Sequence, residues 1–256
     1  MMVTRCRFLV FLAWTDFAAS YHGSFLGIIW GLIEPIFYIC LTFFFFQFVM
    51  GGSIIQGHSY GSYVLPSMLA WLVASSGVNS SLAVIAQYQS FLSENFEMRL
   101  LAVVKLLPIF VVHVLIVSVM IVLFLVGNSI PAFSLVVLLY GMGCLALVLT
   151  GVFWVLMSIS PFLKDLRNIV GVALQVGFWV TPIFWDRSRF PAAISWTMLL
   201  NPFYYPVQVY RLAFVGPSSG ILSIDAAVFW GFVLLLLFAG TKLYRKGKEH
   251  FGDVLI

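Results

Sequence analysis

Charged side chains are scarce in this sequence. Asp, Glu, Lys and Arg together make up 9% of the 256 residues, whereas an ordinary soluble domain carries about 25%. Hydrophobic residues make up 62% of the chain and the mean hydropathy is +1.09, so a soluble fold would leave more apolar surface than one core can cover. This composition excludes a soluble enzyme and predicts an integral membrane protein. The net charge of +4 then reflects loop topology, and no nucleic-acid partner is expected.

Residues with the spacing that catalysis or metal binding needs are missing. The cysteines Cys6, Cys40 and Cys144 stand far apart, which excludes a disulfide framework and predicts no metal site. Paired carboxylates, a His/Glu zinc signature and a GxSxG motif are absent, so no catalytic residue is predicted. The Gly247-Lys248 pair lacks the earlier glycine of a phosphate-binding loop. The chain is therefore expected not to hydrolyse ATP by itself.

Two long uncharged stretches define the first four predicted spans. One stretch lies between Glu34 and Glu94 with a polar centre at 51–62, and the other lies between Lys105 and Lys164 and divides at 127–131. Because a crossing needs about 20 apolar residues, each stretch predicts two helices. A short fifth segment breaks at Thr181-Pro182, and a sixth precedes the C-terminal charges. The predicted spans lie near residues 24–50, 63–83, 106–126, 133–159, 169–184 and 226–243.

Two further segments are predicted to be helical without crossing the membrane. Residues 4–22 fit an interfacial helix; a cleaved signal peptide is the alternative, but Asp16 interrupts its apolar run. Residues 185–217 hold apolar pieces of about nine residues bounded by prolines, which predicts an outer re-entrant helical hairpin. The predicted fold is all-α: one transmembrane domain over 1–256 with six spans, the interfacial helix, this hairpin before the last span, and a cytoplasmic coupling helix at 84–99.

Lysine and arginine concentrate in the loops of one side. Of the 13 basic residues, ten lie on that side: Arg5, Arg7, Arg99, Lys105, Lys164, Arg167, Lys242, Arg245, Lys246 and Lys248. The other side holds Arg187, Arg189 and Arg211. By the positive-inside rule both termini are expected to be cytoplasmic.

Glu34 and His113 are the ionisable residues expected within spans. Charges inside a membrane are costly, so each is a candidate functional group. The structural interpretation is that Glu34 lies near the inner interface and that neutral His113 bonds a backbone carbonyl one turn away. Both interpretations stay open.

Aromatic residues make up 17% of the chain. Interfacial belts and lipid-facing rings account for most of them, but aromatic faces also suit sugar rings. The channel candidates are Trp30, Phe37, Trp179 and Trp185. The outer gate candidates are Pro182, Asn201, Pro202, Tyr204, Tyr205 and Arg211, with a turn at Asn201-Pro202 and Arg211 at the level of the outer headgroups.

The loop after the second span mixes apolar side chains with charges. Its candidate docking residues are Phe91, Glu94, Phe96, Glu97 and Arg99. A plain solvated loop and a docking surface for a cytoplasmic partner are equally compatible with this pattern.

Four motifs in this order resemble those of type 2 ABC exporter permeases that move polysaccharides. They are the residues from Tyr21 to Pro35 (YHGSFLGIIWGLIEP), Asp165 to Gly171 (DLRNIVG), Trp179 to Ile183 (WVTPI) and Leu200 to Pro206 (LNPFYYP). The similarity covers nearly the whole chain. Two departures are mild: Ser20-Tyr21 stands where the family has Arg-Tyr, and Lys164-Asp165 where it has Arg-Asp.

The resemblance implies a half-pore subunit in the bacterial inner membrane, surrounded by membrane lipids. Such subunits form a homodimer that docks two ATP-binding subunits through the coupling helix, and the partners bind the ATP and Mg. No cofactor is expected in this chain. The implied substrate is a lipid-linked glycan of the O-antigen, capsule or teichoic acid type.

Three alternatives remain. A permease of the same class for a drug or a small lipid would share the topology. A membrane glycosyl- or acyltransferase needs a catalytic acid or His at the membrane face, where Asp186 and Asp225 are the only outward acids. A secondary carrier would show inverted repeats or buried carboxylates for ion coupling, and the sequence has neither.

Overall fold

The computed structural model describes residues 2–49, 60–93, 96–126, 133–189, 191, 196–216, 221 and 223–251. Of the predicted turn at 51–62, residues 51–59 lie outside these residues, and the prediction is wrong for 60–62, which begin a helix at Tyr60. The predicted turn at 127–131 and parts of the predicted hairpin also lie outside these residues. The α-helices are α1 (Met2–Ala19), α2 (Trp30–Phe44), α3 (Tyr60–Ser80), α4 (Val84–Gln87), α5 (Leu101–Val126), α6 (Leu135–Ile159), α7 (Leu166–Val180), α8 (Tyr204–Val215) and α9 (Ile224–Gly247).

The described residues contain five helical stretches long and apolar enough to cross a membrane, and α7 is a sixth, shorter apolar helix. The five are Gly27–Phe44, Tyr60–Ser80, Met98–Val126, Leu135–Ile159 and Ile224–His250. This arrangement confirms the all-α membrane fold. Helix α7 has 15 residues and ends at Val180, where Thr181-Pro182 interrupts the helix because proline lacks an N–H donor.

Helix α3 lies at the centre of the bundle. It contacts α2, α5, α6, α7 and α8, and the side chains of Tyr63, Met68 and Ala70 are fully buried. Small residues along the helix, including Ser67 and Gly77, let neighbouring helices approach closely. The core of the protein is therefore built around one span with helices on most of its sides.

Glycines bring α6 and α9 together. A Cβ atom on Gly240 of α9 would lie 2.7 Å from the Cβ of Trp154, and one on Gly151 of α6 would lie 2.8 Å from the Cβ of Leu236. Separations under 3 Å do not occur between real side chains, so only glycine allows this approach. The two helices thus pack backbone against backbone, as small residues permit in membrane proteins.

Gly240→Val is expected to lower the free energy of unfolding by about 1–3 kcal/mol, because the added methyl groups push α9 away from α6. Gly231→Val on the same helix is the matched control, since a Cβ there meets nothing within 4 Å. Thermal unfolding of the detergent-purified variants measures both. Equal stability of the two variants would contradict this packing.

The coupling helix predicted at 84–99 is wrong as one continuous helix. The described part of the segment consists of α4, a 3-10 turn at Gln89–Ser93 and a second 3-10 turn at Met98–Leu100. Side chains just before it bond their own backbone: Ser80 Oγ to Gly77 O at 2.8 Å and Ser81 Oγ to Val78 O at 2.6 Å. Such bonds compete with helix continuation. We call residues 84–100 the coupling segment.

Candidate functional site

Arg211 lies inside the protein, so its predicted place among exposed headgroups is wrong. Its side chain on α8 is 4% exposed, and its guanidinium lies 3.8 Å from the centre of the Tyr63 ring. It donates hydrogen bonds to the carbonyls of Tyr63, Pro182 and Ile183 and to Gln208 Oε1. The helix break at Pro182 leaves carbonyls without helical partners, and the five N–H donors of arginine can satisfy them.

Tyr204 and Tyr205 are also buried, each 4% exposed, rather than rings that face an exit. Tyr205 donates its hydroxyl hydrogen to the carbonyl of Ile221 at 2.7 Å. Tyr204 lies beside the ion pair of Arg187 and Asp225, whose N and O atoms are 2.9 Å apart. The pair of Arg187 with Asp225 contacts the start of α9, and Tyr205 bonds the chain just before that helix, because buried tyrosines usually find hydrogen-bond partners.

The structure has a turn at Asn201-Pro202. Asn201 Oδ1 accepts a hydrogen bond from the Phe203 N–H at 3.0 Å, and its Nδ2 donates to Thr181 Oγ1 at 2.7 Å. An asparagine that bonds the backbone two residues on stabilises a turn. The side chain therefore also ties this turn to the end of α7.

Three of the four channel candidates line two cavities. Trp30 and Phe37 line a cavity of about 850 Å³ beside α2, and Trp179, which is 60% exposed, lines one of about 420 Å³. Trp185 instead donates its Nε1 hydrogen to the Trp179 carbonyl at 3.3 Å.

The smaller cavity lies between α2, α3 and α7, and we call it the aromatic groove. Its lining alternates rings with amides and hydroxyls: Tyr38, Trp71, Phe178 and Trp179 with Ser75, Asn79 and Gln175. Rings offer apolar faces and amides offer donors and acceptors, which together match a hydroxylated ring. The sequence analysis missed Trp71 and the polar members; a lone Gln175 in the apolar run of α7 was the available signal.

Glu97 and Arg99 make contacts within their own chain, and their docking role stays a prediction. Arg99 lies between the rings of Trp154 on α6 and Tyr244 on α9, 5.5 and 5.4 Å from their centres. The Trp154 Nε1–H donates to the Arg99 carbonyl at 3.1 Å. The hydrogen bond from Arg99, 2.9 Å long, lowers the pKa of Glu97, against the opposing effect of partial burial. This end of the coupling segment is thereby anchored to α6 and α9.

Phe91 and Phe96 pack on each other with ring centres 5.1 Å apart, and Phe96 also meets Phe8 of α1 at 6.4 Å. Glu94 lies outside the described residues. The solvent-exposed residues of the coupling segment include Ala86 and Gln87 on α4. Ala86 and Gln87 are therefore accessible to a partner that docks here.

A second anchor holds the other end of the coupling segment. Tyr88 donates its hydroxyl hydrogen to Asp16 Oδ1 at 2.7 Å, and Lys105 Nζ lies 2.9 Å from both Asp16 oxygens. The ammonium of Lys105 also lies 5.4 Å from the centre of the Tyr88 ring. These three side chains join α1, the coupling segment and α5. The sequence analysis missed this contact, because the residues are far apart along the chain.

The sequence is similar to those of known transport proteins. The family model described as "ABC-2 type transporter" matches residues 7–215. The chain is 24% identical over 252 residues to a Klebsiella pneumoniae protein named O-antigen export system permease protein RfbA, covering 96% of this chain and 94% of the relative. A Myxococcus xanthus protein of the same name is 25% identical over 256 residues, with the same coverage.

Proposed function

Because this chain belongs to the ABC-2 type transporter family, we propose that it is the pore-forming permease subunit of an ATP-driven exporter of a lipid-linked polysaccharide. The names of its relatives favour an O-antigen, and a capsule-type glycan has the same chemistry. The working unit is a homodimer in the bacterial inner membrane with both termini in the cytoplasm. Two separate ATP-binding subunits bind ATP and Mg and dock at the coupling segment.

The observation that carries this proposal is the aromatic groove. Trp71 and Trp179 line it together with Asn79 and Gln175, and this mixture of rings and amides suits a sugar chain that must slide rather than bind tightly. The described lining contains no charged side chain. No ion pair therefore holds the polymer at one point of the groove. A pathway for an apolar drug would not need the two amides of Asn79 and Gln175.

Helix α7 supports the homodimer. Its contacts are mainly with α3, and Ile169, Val172 and Val176 are each at least 55% exposed. Trp179 is exposed on the same helix. Few residues of its own protomer cover α7. This exposure suits a symmetric homodimer, in which the α7 helices of the two protomers face each other across the transport pathway.

An export assay tests the function. Deletion of the gene should trap the glycan inside the cell, and the intact chain should restore surface display. The purified chain should show no ATPase activity until its ATP-binding subunit is co-expressed.

Trp179→Ala should reduce surface display of the glycan about fivefold through loss of a ring contact of about 1 kcal/mol. Trp14→Ala is the matched control, since Trp14 is 59% exposed on α1.

Each outcome bears on the proposal. Normal surface display in the deletion strain would overturn it, as would robust ATP hydrolysis by the chain alone. Equal surface display by Trp179→Ala and Trp14→Ala, at equal amounts of protein in the membrane, would show that the glycan does not pass through the aromatic groove.

The docking position of the ATP-binding subunit can be tested at α4. Ala86 is exposed there, so Ala86→Arg should place a bulky charge in the contact and reduce co-purification of the subunit about tenfold. Ala19→Arg on α1 is the control, because Ala19 is also exposed. Full co-purification with Ala86→Arg would exclude α4 as the docking element.

A further inference from the structure

The proposed function leaves Glu34 and His113 unexplained, and both line one cavity. This cavity, of about 850 Å³, lies between α1, α2, α3 and α5. Its walls are mainly apolar and include Phe17, Trp30, Leu41, Leu69, Ile109 and Ile116. Its size falls within the roughly 300–1,000 Å³ of small-molecule sites. We call it the α1–α2 cavity.

Helix α1 closes one end of this cavity through close contact with α2. A Cβ atom on Gly31 would lie 2.9 Å from the ring of Phe17 and 3.0 Å from the Tyr21 hydroxyl. Tyr21 and Glu34 both line the cavity, in the part of the chain that leads from α1 into α2. The interfacial position predicted for α1 would place these polar side chains at headgroup depth, with the apolar walls extending from them into the bilayer.

The two ionisable residues differ in their partners. His113 is 2% exposed, and its Nε2 lies 2.8 Å from the Tyr210 hydroxyl on α8. That bond across two helices takes the place of the backbone bond expected for it. Glu34 is exposed to the cavity, and within the described ranges none of the ion pairs involves it. A carboxylate that faces a mainly apolar cavity gains from a cationic partner, because charge-assisted hydrogen bonds offset its loss of hydration.

We propose that the α1–α2 cavity binds a phospholipid with an ammonium headgroup, such as phosphatidylethanolamine. Its acyl chain fills the apolar part of the cavity, its ammonium donates hydrogen bonds to Glu34, and the Tyr21 hydroxyl donates to its phosphate. The charge of Glu34 selects the headgroup, because a carboxylate attracts an ammonium and repels a purely anionic lipid. The exported glycolipid is not required, so this site is independent of the proposed function.

Binding to the delipidated protein in detergent, followed by native mass spectrometry, tests the headgroup. The probes are phosphatidylethanolamine and phosphatidylglycerol with identical acyl chains. The ethanolamine lipid should bind about tenfold more tightly, as expected for one charge-assisted hydrogen bond. Glu34→Gln should abolish this difference. Equal binding of both lipids to the unmodified protein would overturn the proposal, as would a preference that survives Glu34→Gln.

A second pair of variants tests the acyl chain. Ser76 is exposed on α3 and lines the cavity, so Ser76→Phe should fill it and abolish binding of both lipids. Ser118→Phe is the control, because Ser118 is exposed on α5 outside the cavity. Unchanged binding to Ser76→Phe would overturn the location.

Photocrosslinking keeps the location testable if Ser76→Phe fails to fold. Phosphatidylethanolamine with a diazirine in its acyl chain should label the unmodified protein on residues 30–41, 69–76 or 109–116, which line the cavity. Labelling confined to other helices would overturn the location.

Discussion

Arg211→Met is expected to cause the largest loss of stability of any substitution considered, about 3–5 kcal/mol. The change leaves the carbonyls of Tyr63, Pro182 and Ile183 buried without the donors they now have. Buried carbonyls cannot find water inside the bundle, so each lost bond costs its desolvation. For a chain of this size the melting temperature should fall by about 10 °C. Fluorescence-detected size exclusion after heating measures the change.

Two further variants show whether the geometry of Arg211 matters. Arg211→Lys keeps the charge but offers fewer donors and no planar face for the Tyr63 ring, so its stability should be intermediate. Arg187→Gln is the control, since Arg187 forms a part-exposed pair with Asp225 that is worth about 1 kcal/mol or less. If Arg211→Met is no less stable than Arg187→Gln, Arg211 does not hold α3, α7 and α8 together.

The helices follow from the sequence because bilayer thickness and charge spacing determine them. The uncharged stretches on either side of Glu94 and Lys105 gave spans that match the observed helices within a few residues, apart from the first, which starts with a 3-10 turn at Gly27–Ile29. The interruption after Val180 was evident from Thr181-Pro182. These are local or one-dimensional properties, and no knowledge of neighbouring helices is needed to infer them.

The candidate site depends on which residues meet, and that information is not local. Arg211 contacts the carbonyl of Tyr63, 148 positions earlier, and Asp16 contacts Lys105 across 89 positions. An arginine near a membrane surface usually faces headgroups, so its burial under α3 could not be read from its neighbours in sequence. The sequence around Arg99 likewise indicates a solvated charge. Its contacts with Trp154 and Tyr244 become evident only in the structure.

Under the proposed function, the two anchors of the coupling segment are the contacts through which ATP hydrolysis in a partner subunit would reach the spans. At one end Arg99 connects it to α6 and α9, and at the other Tyr88 connects it to Asp16 on α1 and Lys105 on α5. The ion pair is partly buried, with side chains 11% and 22% exposed for Lys105 and Asp16, so solvent weakens it less than a surface pair. A push on α4 from a docked subunit would therefore be transmitted to several helices at once.

Tyr88→Phe is expected to lower export about tenfold while the ATPase activity of the complex stays unchanged. The substitution keeps the buried ring and its contact with Phe91 and removes only the hydroxyl that bonds the Asp16 carboxylate. A hydrogen bond to a charged group is worth about 1.5–3 kcal/mol, enough for a tenfold effect. Surface display of the glycan and ATP hydrolysis by the purified complex measure the two activities.

Lys105→Met should have a larger effect on export than Tyr88→Phe, because it leaves the Asp16 carboxylate partly buried without its cation. The exchange of both charges, Asp16→Lys with Lys105→Asp, should restore part of the export, since the pair is rebuilt with opposite polarity. Tyr140→Phe is the matched control: its hydroxyl bonds Tyr205 and Trp230 rather than the coupling segment. Full export by Tyr88→Phe, or equal losses in both Tyr→Phe variants, would show that this anchor does not transmit the motion.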